Sequence, residues 1–136
     1  MPATNQLTLL DGPRASVWYY PDRKIIHHQF RAFVHGNELR AVLDTGVEAF
    51  QRHSAHKWLS DDRGNSALTR EDSQWVTDDW LPRIMAAGWT HWALVMPEKV
   101  IGQLNMKRFV KTFGDQGVTT RIFPSPEEAL VWLGSQ

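Results

Sequence analysis

His91-Trp92-Ala93-Leu94-Val95-Met96 is a short, almost unbroken apolar run with Gly88 before it and Pro97 after it. Its brevity, its aromatic and branched residues and the flanking breakers describe a strand covered on both faces. Segments of helical period lie on either side, which is how a mostly parallel sheet is assembled. Alternation along the run puts Trp92 and Leu94 on one face and Ala93 and Val95 on the other.

Just upstream, Val76, Trp80 and Ile84 recur at every fourth position, with Trp75, Leu81 and Met85 beside them. They predict a helix over 70–87 with Thr69 as N-cap, acidic residues in the first turn and Gly88 past its end. Pro82 falls inside that pattern, so a kink or a split into two shorter helices is expected near residues 78–81. Downstream, Met106, Phe109, Val110 and Phe113 predict a helix over 102–115, with Lys107, Arg108 and Lys111 on its other side. Residues 119–123 read as the last strand. Ser125-Pro126-Glu127-Glu128 is a helix start, with Ser125 as N-cap, Pro126 at the first position and two carboxylates on the dipole.

Further out, Lys57-Trp58-Leu59-Ser60 is a short strand followed by a polar break. Leu39, Leu43, Val47 and Phe50 give a one-sided helix over 37–54, with Asn37 as its expected N-cap. Gly46, inside that helix, suits a close approach to a strand. Residues 15–20 and 25–33 read as strands of an antiparallel hairpin around Pro21-Asp22-Arg23-Lys24. Residues 1–14 read as a lead-in and 15–134 as one domain. The expected order is β-β-α-β-α-β-α-β-α: an α/β fold with a mixed, mostly parallel five-stranded sheet and four helices.

Composition narrows the classes of function. Hydrophobic residues make up 42% and charged residues 22% of 136, an ordinary globular balance. The formal net charge is zero, which gives no global attraction to nucleic acid. There is no cysteine, which excludes disulfides, thiolate metal sites and a cysteine nucleophile. No apolar run approaches the roughly 20 residues that span a bilayer, and no signal-peptide pattern opens the chain, so membrane insertion is not expected and a cytoplasmic location is. Seven tryptophans in so short a chain fill a core, line an aromatic pocket or form a dimer face.

Several stretches together resemble the STAS domains (sulfate transporter and anti-sigma antagonist). They are Lys57-Trp58-Leu59-Ser60-Asp61-Asp62-Arg63, Trp75 with the helix end Ala86-Ala87-Gly88, Ala93-Leu94-Val95, and the closing Phe123-Pro124-Ser125-Pro126-Glu127-Glu128-Ala129-Leu130-Val131-Trp132-Leu133. The resemblance is to the bacterial single-domain, SpoIIAA-like branch and covers residues 15–133. It implies a small mixed sheet with helices against it and a regulatory or binding role without catalysis. In the anti-sigma antagonists a phosphorylatable serine follows the third strand in an Asp-Ser-Ser-Gly-like context. The same junction here reads Asp61-Asp62-Arg63-Gly64-Asn65-Ser66-Ala67-Leu68-Thr69, where Ser66 or Thr69 would take the place of that serine.

The carboxyl ends of parallel strands, where open α/β sheets bind ligands, carry Asp61, Asp62 and Arg63, then Glu98 and Lys99, then Ser125. Two carboxylates beside an arginine suit Mg²⁺ binding or acid–base work; they equally suit a polar turn in which Arg63 neutralises one aspartate and the other caps an amide. His27 and His28, adjacent on a strand, point to opposite faces and cannot share a metal. No HExxH pair, nucleophile elbow or phosphate loop is present, and no motif asks for a cofactor. Three functions stay open. The first is a non-catalytic STAS-like regulatory or interaction domain with a protein partner or a second copy. The others are a module binding a small apolar molecule or lipid in a tryptophan-lined cavity, and an enzyme using Asp61, Asp62 and Arg63.

Overall fold

A computed structural model describes residues 5–136; residues 1–4 of the expected lead-in lie outside the described residues. The elements are β1 (Leu7–Asp11), β2 (Ala15–Tyr20), β3 (Ile25–Phe30), α1 (Gly36–His53), β4 (Lys57–Asp61), α2 (Arg70–Trp75), a π turn (Val76–Trp80), α3 (Leu81–Ala86), β5 (His91–Val95), α4 (Val100–Asp115), β6 (Thr119–Phe123) and α5 (Pro126–Gly134). All six strands form one sheet in the order β1-β2-β3-β4-β5-β6. The pairs β1–β2 and β2–β3 are antiparallel, and β3–β4, β4–β5 and β5–β6 are parallel.

The α/β class holds, with one strand more than the sequence suggested. Residues Leu7–Asp11 are an edge strand rather than a lead-in. Leu7 and Leu9 are exposed and only Leu10 packs against the core, so this strand rests mainly on its pairing to β2 and has little buried face to announce it. The strand expected to reach residue 33 ends at Phe30. There the Phe30 carbonyl accepts from the Gly64 N–H at 3.2 Å, and the two segments lie so close that a Cβ on Gly64 would meet the Arg31 backbone at 2.5 Å.

Parallel strands added one after another in one direction, through right-handed crossovers, put every crossover helix on the same face. Accordingly α1, α2–α3 and α4 cover one side, where Ile26, Phe30, Trp58, Trp92 and Leu94 are buried against them. The other side is left to α5. Its Ala129 and Leu133 pack on Ile25, Leu59, Ala93 and Val95. β5 lies between β4 and β6, with Trp92 and Leu94 on one face and Ala93 and Val95 on the other, as its alternation requires. The buried Lys57 ammonium donates to the carbonyls of Leu133 and Gln136 at 3.1 and 3.2 Å, so a cation sits where the α5 dipole is negative. Among the described residues no helix is long and apolar enough to cross a membrane.

The helix ends follow their local chemistry, with one exception. Thr69 caps α2 through the Asp72 N–H at 3.1 Å, and Ser125 caps α5 through the Glu128 N–H at 3.4 Å. Asn37 does not cap α1, which begins at Gly36 without a side-chain cap of its own. The Gly36 N–H is instead taken by the buried Asp72 carboxylate at 2.9 Å, so one helix start serves the other. Pro82 acts as expected, through a widened turn. The Leu81 N–H reaches back five residues to the Val76 carbonyl, a π arrangement that absorbs the donor and the space Pro82 denies the helix.

Gly46 fixes how near α1 lies to the sheet. A Cβ there would stand 1.9 Å from the Cη2 atom of Trp58, on β4. Gly46→Ala should therefore destabilise the protein by about 1–3 kcal/mol through overpacking, although alanine is the better helix former. Gly114, on α4, faces open space. Gly114→Ala should gain up to about 1 kcal/mol. Urea unfolding of the two variants checks the pair, and equal effects of the same sign would refute the close contact.

Candidate functional site

β3 and β4 run parallel in a register that sets His28 beside Ser60. Residues two apart on a strand share a face, so Trp58, Ser60 and Asp62 point with His28 to the side covered by α1, α2–α3 and α4. There they meet a cavity of about 50 Å3. Its wall is Trp58, Trp80, Trp89, Trp92, Phe109 and Phe113; His28, Ser60 and Asp62 also border it, with almost no polar atom turned into the space. The tryptophans stand edge to face, with Trp58–Trp80, Trp80–Trp89 and Trp89–Trp92 centroids 5.5, 5.5 and 5.6 Å apart. Such pairs gain beyond the area they bury.

Every indole N–H of that wall is committed. Trp80 donates to the Leu43 carbonyl at 3.0 Å and Trp89 to the His91 carbonyl at 3.0 Å. Trp92 donates to Ser60 Oγ at 2.8 Å, and Trp58 donates to His28 Nδ1 at 2.9 Å. An indole can only donate, so His28 Nδ1 is an unprotonated acceptor and its proton is on Nε2. That Nε2–H donates to Asp62 Oδ1 at 2.7 Å. His28 is thus a neutral imidazole with both nitrogens in use. Asp62, its side chain 6% exposed, keeps a second oxygen, Oδ2, that takes no hydrogen bond from the described residues. The hydroxyl proton of Ser60 likewise finds no acceptor among them.

No family model, no curated protein and no solved structure matches this chain.

The charged group singled out in the sequence does not stay together. Asp61 is the last residue of β4, so the strand period sends its side chain to the face opposite that of Asp62. Asp61 is buried and receives Arg63 in a bidentate pair, Nε to Oδ1 and Nη2 to Oδ2, both at 2.9 Å. That hydrogen-bonded carboxylate raises the Arg63 pKa further above its ordinary value. Asp61 and Arg63 border an open polar cleft of about 280 Å3, together with Gln29, Arg31 and Glu98. Lys99 is exposed at the start of α4. Thr69 and Ser125 are occupied as helix caps, and half-buried Ser66 gives its backbone N–H to Asn65 Oδ1 at 2.9 Å. Among the described residues no three His, Asp or Glu side chains gather as a metal site would require.

Sequence reasoning misses His28 as the partner of Asp62 and Ser60 as the partner of Trp92. The available signal was alternation: His28 shares a face with Phe30 on β3, and Ser60 shares one with Trp58 on β4. Asn65 was missed as well. It is buried, and its Oδ1 accepts from the Val34 N–H at 3.1 Å, which pins the loop after β4 to the loop before α1.

On the opposite face His27 takes a different role. Gln6 donates to the Tyr20 hydroxyl at 3.2 Å, and that hydroxyl and His27 Nδ1 are hydrogen-bonded at 2.9 Å. His27 Nε2 is buried without a partner. Burial pushes the His27 pKa from 6.5 down to about 3. A depressed histidine contributes its full stability above the unfolded value of 6.5 and loses it as the pH falls toward 3. Within that window the unfolded chain binds the proton that the folded one refuses, at a slope of up to about 1.4 kcal/mol per pH unit. His27→Leu should remove this part of the acid destabilisation, measured as the difference in unfolding free energy between wild type and variant from pH 7 to 4. Parallel curves would show that His27 is protonated as easily folded as unfolded.

Proposed function

We propose that this chain is a non-catalytic, cytoplasmic binding domain of STAS-like build that takes a small, largely apolar molecule into its tryptophan-lined cavity. The observation that carries the reading is the cavity itself, an aromatic, almost wholly apolar chamber between the sheet and the helices that cover it. Small-molecule sites have predominantly apolar and aromatic walls. Its size limits the occupant. An engineered apolar cavity of about 150 Å3 holds benzene, whereas about 50 Å3 is present here. A ligand of a few heavy atoms fits, and a lipid chain does not fit in this conformation.

Catalysis has weaker support. The acids that an enzyme would use are divided between two faces, Asp61 held by Arg63 and Asp62 by His28. His28 cannot accept a proton while the Trp58 indole occupies Nδ1 and its own proton occupies Nε2. A partner-binding role draws on a different observation. The outer side of α4 exposes Val100, Ile101 and Leu104, while its inner side brings Phe109 and Phe113 to the cavity wall. One helix thereby faces both a ligand and any partner, as a regulatory domain requires.

Xenon dissolved under pressure tests the cavity without assuming a ligand. The indole N–H resonances of Trp58, Trp80, Trp89 and Trp92 should shift saturably, while those of Trp18 and Trp132, on the other face, stay still. Val76→Leu adds bulk at the cavity wall and should weaken the response. An unshifted wild-type spectrum would overturn the binding reading.

A further inference from the structure

The two edges of the sheet are unequal. β1 pairs with β2 through a register shift between Thr8 and Leu10, a bulge of the kind that turns an edge away from further pairing. β6 keeps register with β5 at every position from Thr119 to Phe123 and holds no proline or lysine. The Thr119 N–H donates to the Thr90 carbonyl at 2.9 Å, so residues 119, 121 and 123 turn their main-chain groups toward β5. Alternation turns those of Thr120 and Ile122 outward, and among the described residues no strand lies beyond them. The Ile122 side chain is 48% exposed at the same place. Of the two edges, only β6 is a regular, open template for another strand.

What stands beside that edge suits a second copy of this chain. Asn105 Oδ1 accepts from the Leu68 N–H at 2.9 Å, so that flank of α4 faces the loop before α2. At about 100° per residue, Val110 and Gly114 lie on the opposite flank, toward the free edge of β6. Val110 is only partly buried, and a Cβ on Gly114 would meet no atom within 4 Å. α4 crosses from β5 to β6, so its axis lies over the gap between them. With strands about 4.8 Å apart, two sheets joined at β6 would carry their α4 axes about 10 Å apart, a distance at which helices pack. A lone extended peptide would cover the edge and leave that flank bare. The formal net charge of zero sets no overall repulsion between copies.

We propose that the chain forms a symmetric dimer in which β6 pairs antiparallel with β6 of a second copy, making one continuous sheet. The two-fold axis passes beside Ile122. Ile122 shares the α4 side of the sheet with Leu94, its partner in register, and there it meets Ile122 of the second copy. The two residues exchange both of their outward main-chain hydrogen bonds. On the other side Arg121 meets Phe123 of the second copy, repeating across the axis the contact it makes over its own Phe123 ring at 5.4 Å. Centring the pair on Arg121 would set two guanidiniums directly opposite, which is destabilising. Centring it on Thr120 would draw in Val118, which is buried and gives its N–H to the Phe113 carbonyl.

Sedimentation equilibrium and amide hydrogen exchange on the full chain test the dimer together. The wild type should pass from monomer to dimer as its concentration rises, and protection of the Thr120 and Ile122 amides should rise with it. Ile122→Lys changes a side chain already half in solvent, so the fold should persist, and it opposes two like charges across the axis. The dimer should weaken at least about tenfold through that repulsion and the lost apolar contact. Leu9→Lys, the same kind of change on the bulged β1 edge, should leave the dissociation constant unaltered. A wild type that stays monomeric at millimolar concentration overturns the proposal, as does a dimer whose Thr120 and Ile122 amides exchange as fast as in the monomer. Equal dimerisation by wild type and Ile122→Lys, or a weakening by Leu9→Lys as large as that by Ile122→Lys, overturns it too. Should the Ile122→Lys variant fail to fold, the concentration dependence of the two wild-type amides decides alone.

Discussion

The indole of Trp58 is the contact on which most of the helical side of the sheet depends. It rises from β4, third from the β6 edge and fourth from the β1 edge of the six-stranded order, and is almost wholly buried. Its ring occupies the space that a side chain at position 46 would need, so α1 rests directly on it. Its edge meets Trp80, whose own N–H ties the π turn to α1 through the Leu43 carbonyl. Its N–H fixes the tautomer of His28, and His28 in turn holds Asp62. One side chain therefore sets the spacing of a helix, the seat of a second and the tautomer of the His28–Asp62 pair.

That dependence joins the structural and the chemical roles of the aromatic residues. A tryptophan that only filled space would leave its N–H to the nearest carbonyl, as Trp80 and Trp89 do. Trp58 and Trp92 instead donate to side chains, His28 and Ser60, and thereby remove from the cavity the acceptors that would otherwise face it. What remains is a chamber whose open surface is almost wholly apolar. Its polarity comes from which hydrogen bonds are already made, more than from which residues are present.

Much of the fold was legible because it follows local rules. The runs around Trp92, the four-residue spacing of Val76, Trp80 and Ile84, the caps Thr69 and Ser125 and the disturbance at Pro82 each act within a turn or two of chain. β1 was not legible. Leu7 and Leu9 are exposed at a sheet edge and Leu10 alone reaches the core, so the strand carries almost no burial pattern. The cap of α1 was misread for a different reason: the carboxylate that serves Gly36 comes from Asp72, far along the chain. The site failed at a single boundary. With β4 ended at Ser60, Asp61 and Asp62 looked like neighbours in a loop; with Asp61 in the strand, alternation parts them. The pairing of His28 with Asp62 depends on the register between two strands, which no local pattern encodes.

The order of the sheet has a consequence for how the chain reaches this state. Each strand pairs with the one made just before it, so spatial order and sequence order coincide. No strand must insert between two that are already joined. A chain emerging from its N-terminus can build the β2–β3 hairpin, add β4 behind α1, and extend the edge one βα unit at a time, closing only short loops at each step. Until α4 arrives, Trp80, Trp89 and Trp92 face solvent along one open side, and the last helix, α5, is seated on Lys57, which was placed much earlier. Assembly is thereby directional, and the aromatic chamber is among the last parts to close.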